Sequence, residues 1–114
     1  MDGPYEQGDI VLVDFPYSDA SGSKQRPAIV LSTDEYHKNS EDVILVAITS
    51  KEPKTFRSTD YFLQDWLSEG LDKPSWVRST LITAHRSRIV QKIGRLTERD
   101  LQGVKQCIRR ACGL

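Results

Sequence analysis

A mainly β, α+β fold is predicted for this 114-residue chain, a small antiparallel barrel of short strands with one helix at the C-terminus. Three observations predict it. Short runs rich in Val, Ile and Leu recur between turn-forming residues, which is how strands covered on both faces read. Helical periodicity is confined to the last part of the chain and to brief connections, so the helices follow or link the strands and do not alternate with them. The apolar share of 38% and charged share of 28% are those of a globular chain, and the length suits one compact domain spanning 1–114.

The strands come in order. Residues 9–15 (DIVLVDF), 27–33 (PAIVLST) and 43–49 (VILVAIT) are the three apolar runs. Between the first two lies PYSDASGSKQR, whose Pro, Asp, Ser and Gly residues read as a loop. A further strand is expected around 59–63, then a helical turn over 65–70 (DWLSEG) closed by Gly70. Strand character resumes in SWVRSTLIT from Ser75, and RIVQKIGRL over 88–96 alternates apolar and basic residues as a half-exposed strand does. Thr97 opens the last helix, with Asp100 placed to complete a capping box. Leu101, Val104, Ile108 and Ala111 share one helical stripe, which should pack on the sheet.

Composition excludes several classes of function. No apolar run is long enough to span a bilayer, and MDGPYEQGD lacks the basic flank and apolar stretch of a signal peptide, so a cytoplasmic location is expected. Cys107 and Cys112, five apart on one helix, point to different faces and are expected to be free thiols. His37 and His85 lie far apart without Cys, Asp or Glu at ligand spacing, and neither a phosphate-binding glycine loop nor a nucleophile elbow is present. No metal or cofactor is expected. Net charge is zero but lopsided: 6 Lys/Arg against 14 Asp/Glu up to Asp72, and 10 against 2 from Lys73 onward. The C-terminal part is thus a candidate positive surface for a phosphate backbone, while two complementary halves folding together explain the same numbers.

A set of polar residues at strand edges stands out. Arg26 precedes Pro27, which favours an extended backbone and places a guanidinium, the fork-shaped cation suited to phosphate oxygens, at the mouth of a strand. Thr49 and Ser50 end an apolar run with adjacent hydroxyls, able to hold a phosphate or simply to make a turn. Arg78 sits within a strand, either as an outward edge charge or as a second phosphate ligand. Trp66 and Trp76 suit base stacking or a half-buried place in a small barrel.

Taken in order, GDIVLVDFPYSD, RPAIVLS, ILVAITS, DWLSEGLDKPSWVR and IGRLTERDL resemble the MazF/PemK toxin family over nearly the whole chain. The resemblance implies an SH3-like barrel of the MazF/PemK/CcdB-like kind, a homodimer, and a type II toxin acting as a sequence-specific endoribonuclease on single-stranded RNA. Cleavage would need no metal: the substrate's 2′-hydroxyl attacks the adjacent phosphate, giving 2′,3′-cyclic phosphate and 5′-hydroxyl ends. It implies catalytic roles for Arg26, Thr49, Ser50 and Arg78, and RNA contacts from Lys24, Lys51, Trp76 and Thr80. It also implies a cognate antitoxin, expected to lie as an extended acidic segment across the RNA groove. PemK-like members often carry an acidic residue where this chain has Thr80, so the acceptor of the 2′-hydroxyl proton is unassigned; His85 is a fallback, and the 16–25 loop lacks the histidine of some relatives. Two competing readings are a topoisomerase poison of the same fold, disfavoured by the RRACGL ending, and a silent RNA-binding module using the tryptophans and the basic C-terminal half.

Overall fold

The computed structural model describes residues 4–16 and 23–114. Six strands, β1 (Asp9–Pro16), β2 (Ser23–Val30), β3 (Asp42–Thr49), β4 (Tyr61–Phe62), β5 (Trp76–His85) and β6 (Ile89–Arg95), form one sheet in the order β4-β5-β3-β2-β1-β6. Every pairing is antiparallel. Helix α1 (Asp34–Lys38) links β2 to β3, a 3₁₀ turn (Arg86–Arg88) links β5 to β6, and α2 (Glu98–Cys112) ends the chain.

The predicted barrel does not close. The two-residue β4 and β6 stand at opposite edges and are not paired, because two residues give β4 only enough ladder to pair with β5. Both faces are nevertheless covered, as the continuous apolar runs require. Ile10, Ile29, Val46, Ile48 and Val77 pack on one face against Leu101, Val104 and Ile108 of α2. Val11, Val13, Ala28, Val30 and Leu45 form a second cluster on the other face. Asp14 and Phe15 of β1 line a common cavity with Ile82 and Ala84 of β5, although β2 and β3 lie between them in the sheet, so the sheet curls over this second face.

Several element boundaries differ from the sequence reading for local reasons. β2 begins at Ser23 because Lys24 and Gln25, polar as they are, pair with Phe15 and Asp14 of β1. It ends at Val30 because Leu31 and Ser32 both donate to the Ile44 carbonyl and Thr33 turns outward as the N-cap of α1. That helix was unforeseen, yet Thr33-Asp34-Glu35 is an N-terminal signal, a capping hydroxyl followed by acids in the first turn. The part of the expected loop at 17–22 lies outside the described residues. The strand expected at 59–63 is reduced to Tyr61–Phe62, and the turn over 64–70 ends at Gly70 with φ of 99°.

In α2, Thr97 caps as expected, its hydroxyl accepting from Asp100 N at 3.3 Å. Asp100 does not complete the box. Its carboxylate accepts from Tyr61 Oη, Gln64 N and Asp65 N at 2.7, 3.1 and 2.9 Å, and Glu69 Oε2 takes the Thr97 N–H instead. Ala111 is exposed, leaving the buried stripe to Leu101, Val104, Cys107 and Ile108. The helix lies so close to β4 that a Cβ on Gly103 would run into the Tyr61 ring, and one on Gly94 of β6 would strike the Glu69 carbonyl oxygen. Cys107 is buried and Cys112 exposed, both free. The opposite charges of the two halves pair across the fold: Asp9 with Lys92 and Arg95, Asp60 with Arg78, Asp65 with Arg99, and Glu41 with Arg86.

Candidate functional site: two basic clefts sharing one wall

The β2–β3 ladder runs from Val30↔Leu45 to Ala28↔Ala47 and stops at Pro27, which has no N–H to donate. Continuing the same register sets Arg26 opposite Thr49. Where the ladder ends a cleft of about 350 Å³ opens, lined by Arg26, Pro27, Ile48, Thr49, Ser50, Lys51, Leu71, Asp72, Lys73 and Ser75. Arg26 is thus within β2, paired with Val13 of β1, three residues in from the start of the strand and not at its mouth. It is exposed.

A second cleft, of about 400 Å³, lies beyond Thr49 and Lys51 and is lined by those two with Glu52, Pro53, Lys54, Thr55, Arg57 and Arg78. Thr49 and Lys51 are therefore a common wall, with Arg26 on one side and Arg78 on the other. The Thr49 hydroxyl accepts from Lys51 N at 3.1 Å, which folds the chain back after β3 and leaves the hydroxyl proton able to be donated outward. Six basic residues line the two clefts, Arg26, Lys51, Lys54, Lys73, Arg57 and Arg78, against Glu52 and Asp72. Four of the six come from before Lys73. The N-terminal part, acidic overall, thus supplies most of the cations that line the clefts.

Arg78 owes its place to a bulge. Val46 pairs with Leu81 and Ile48 with Val77, so three residues of β5, Arg78 to Thr80, face the single Ala47 of β3. Ser79 takes up the excess with φ of 58°, left-handed for a non-glycine residue, and its hydroxyl donates to the Thr59 carbonyl at 2.8 Å. Arg78 then reaches Asp60, whose side chain is fully buried, through Nε at 3.2 Å and Nη2 at 3.3 Å. Arg57 meets the same carboxylate through its backbone N, Nε and Nη2. Burial alone would raise the Asp60 pKa, but the hydrogen bonds from Arg57 and Arg78 outweigh it and hold the group at about 2.

A model of the PemK-like, MazF-like toxins of type II toxin–antitoxin systems matches residues 6–112. The chain belongs to this family. An endoribonuclease from a mycobacterial species, solved in complex with its cognate antitoxin, superposes with a TM-score of 0.81 at 17% identity over 96% of each chain. MazF from Deinococcus radiodurans gives 0.76 at 21% identity over 99% of this chain and all of that one. Mycobacterium tuberculosis toxin MazF-mt6 gives 0.70 at 19% identity, covering 91% of this chain and 97% of that one. No curated relative matches. At these identities the structures show the MazF fold.

Of the residues singled out from sequence, the fold brings Arg26, Thr49, Ser50 and Lys51 to one cleft and Arg78 to its neighbour. Lys24, Trp76 and Thr80 line neither. Lys24 is exposed on β2, two residues from Arg26 and on the same side of the strand; Thr80 is exposed at the end of the bulge. Trp76 is half-buried with its ring 5.2 Å from that of Phe62, and Trp66 packs against the α2-side core. His85 caps the 3₁₀ turn, accepting from Ser87 N, and lines the separate cavity beside Asp14 and Arg88. The carboxylates at the clefts are Glu52 and Asp72, and neither carries a motif that would single it out in sequence. Asp60 and Arg57 were also missed: a buried aspartate in RSTDYF looks like turn chemistry until β5 brings Arg78 against it.

The one group of three carboxylates close together among the described residues, Asp65, Glu69 and Asp100, lies under the N-terminus of α2 and lines neither cleft. Its oxygens are met by protein donors apart from Glu69 Oε1.

Proposed function

We propose that this family member is an endoribonuclease toxin that cuts single-stranded RNA without a metal or cofactor, by attack of the substrate's 2′-hydroxyl on the adjacent phosphate. The observation carrying this reading is the shared wall of Thr49 and Lys51 with an arginine on either side. A phosphate seated against that wall meets permanent positive charge from two directions, which suits the extra negative charge of a pentacoordinate transition state. Arg26 and Arg78 are assigned that stabilisation, and Thr49 and Ser50 the orientation of the phosphate and 2′-hydroxyl. Lys51 and Lys24 would contact the flanking backbone, with Trp76 and Thr80 at the periphery. Glu52 and Asp72, the carboxylates lining the clefts, are assigned as the acceptors of the 2′-hydroxyl proton.

The experiment is digestion of a long RNA in excess EDTA, with the ends of the fragments characterised. Cutting should persist, and the fragments should carry 5′-hydroxyl and 2′,3′-cyclic phosphate termini. Loss of cutting on chelation, restored by a divalent ion, would force a different site; retention of RNA without cutting would leave a binding module.

The same reading places the protein in the cytoplasm as a homodimer checked by an antitoxin. No helix among the described residues is long and apolar enough to cross a membrane. Exposed Leu81 on β5 and Val90 on β6 are apolar surface that a second copy would cover. Light scattering at micromolar concentration should give twice the 12.9 kDa chain mass. A monomer that still cleaves would remove the dimer from this account.

A further inference from the structure

We infer that Asp60 is a positioning residue for RNA cleavage, fixing the Arg78 guanidinium at the second cleft while Arg57 completes the partners of the same carboxylate; this rests on the assignment of Arg78 above. The geometry is specific. Asp60 presents both carboxylate oxygens to both arginines, and each arginine bonds through Nε and Nη2, the two-pronged contact that fixes the plane of a guanidinium. The carboxylate is wholly buried while the side chains of Arg57 and Arg78 are 54% and 34% exposed. The anion is therefore placed behind the cations, away from incoming RNA.

The support behind Asp60 comes from three elements. Its N–H donates to the Arg57 carbonyl at 3.0 Å, its own carbonyl accepts from Cys107 Sγ of α2 at 3.5 Å, and the next residue opens β4. From β5, Ser79 ties its strained bulge to Thr59, the residue before Asp60. A left-handed serine costs energy and persists where the surroundings over-determine it. Here that cost delivers Arg78 to the buried Asp60 carboxylate behind the second cleft. Two positive charges against one negative leave the cluster net cationic toward a phosphate, with orientation already set before RNA arrives.

If Asp60 acts through Arg78, its loss should matter only while Arg78 is present. In single-turnover cleavage of a short RNA, Asp60→Asn should slow the reaction roughly 10-fold or more, since small misplacements of a catalytic group are costly. Asp60→Asn combined with Arg78→Ala should be no slower than Arg78→Ala alone. A wild-type rate in folded Asp60→Asn, or a double variant slowed by the product of the single effects, overturns the inference. A wild-type rate in Arg78→Ala overturns the Arg78 assignment itself and this inference with it, a distinct result. Should Asp60→Asn fail to fold, the native chain supplies the test: the Arg78 Nε–H proton, assigned with Arg78→Lys, should exchange slowly with solvent, and fast exchange overturns the locked geometry.

Discussion

Replacing Arg26 by alanine should lower single-turnover cleavage by roughly 10²-fold or more, the usual consequence of removing one preorganised donor from a transition-state site. That is about 2.7 kcal/mol of transition-state stabilisation. The expectation rests on position. The β2–β3 ladder stops at Pro27, and the register beyond it sets Arg26 across the cleft from Thr49, on a backbone held by β1. Because the side chain is exposed, little packing is lost and the unfolding midpoint should barely move. Arg26→Lys should recover little of the rate, since a point charge cannot reproduce a fork on two phosphate oxygens. Thr49→Ala should be milder if the hydroxyl only seats the phosphate, and as severe if it also orders the 2′-hydroxyl. The measurement is cleavage of a short RNA bearing the preferred motif, with unfolding followed for each variant. A wild-type rate in Arg26→Ala removes the central residue of the proposed mechanism. A collapsed midpoint with lost activity returns Arg26 to a structural role.

The difference between what sequence revealed and what it hid follows the range of the interactions. β1, β3 and β6 were legible because burial on two faces writes itself into continuous or alternating apolar runs, and α2 because Thr97 and the Leu101-Val104-Ile108 stripe are local signals. Arg26 and Thr49 could be assigned to one site beforehand only through the family resemblance, because Pro27 marks a break in a ladder but the sequence does not say which strand lies beside β2. Arg78 was visible as a residue but its partner was not: Asp60 is 18 positions away, and the bulge at Ser79 that unites them has no glycine or asparagine to announce it. The substitution of Glu69 for Asp100 in capping Thr97 is likewise a contact over 28 residues, and no local pattern distinguishes the two acids. The open sheet edge has the same origin, since the length of β4 is set by what β5 offers it.

Glu69 is expected to make the protein less stable as pH rises toward neutrality. The residue is 2% exposed, with Asp100 and Asp65 alongside and Arg99 engaged by Asp65. Burial is the largest influence and raises its pKa; the Thr97 N–H opposes this, while the neighbouring Asp100 carboxylate raises it further, to about 7 against an ordinary 4.5. Oε1, which lacks a donor, is then the oxygen that carries the proton and shares it with Asp100. A carboxyl whose folded pKa lies above its unfolded value contributes stability that is fully present below pH 4.5 and lost as pH climbs through about 7. Asp60 works in the opposite sense: its folded pKa is depressed to about 2, so its contribution is present above 3.8 and is lost as pH falls from there. Glu69→Gln isolates the first effect, because the amide keeps the shape of the protonated acid, accepts the Thr97 N–H with its oxygen and donates to Asp100 with its nitrogen. Relative to wild type, the variant should gain on the order of 1–3 kcal/mol of unfolding free energy between pH 4.5 and pH 7.5. Denaturant unfolding of both proteins across that range is the check. Curves that stay parallel from pH 4.5 to 7.5 would show that Glu69 is ionised throughout and that no proton is held between it and Asp100.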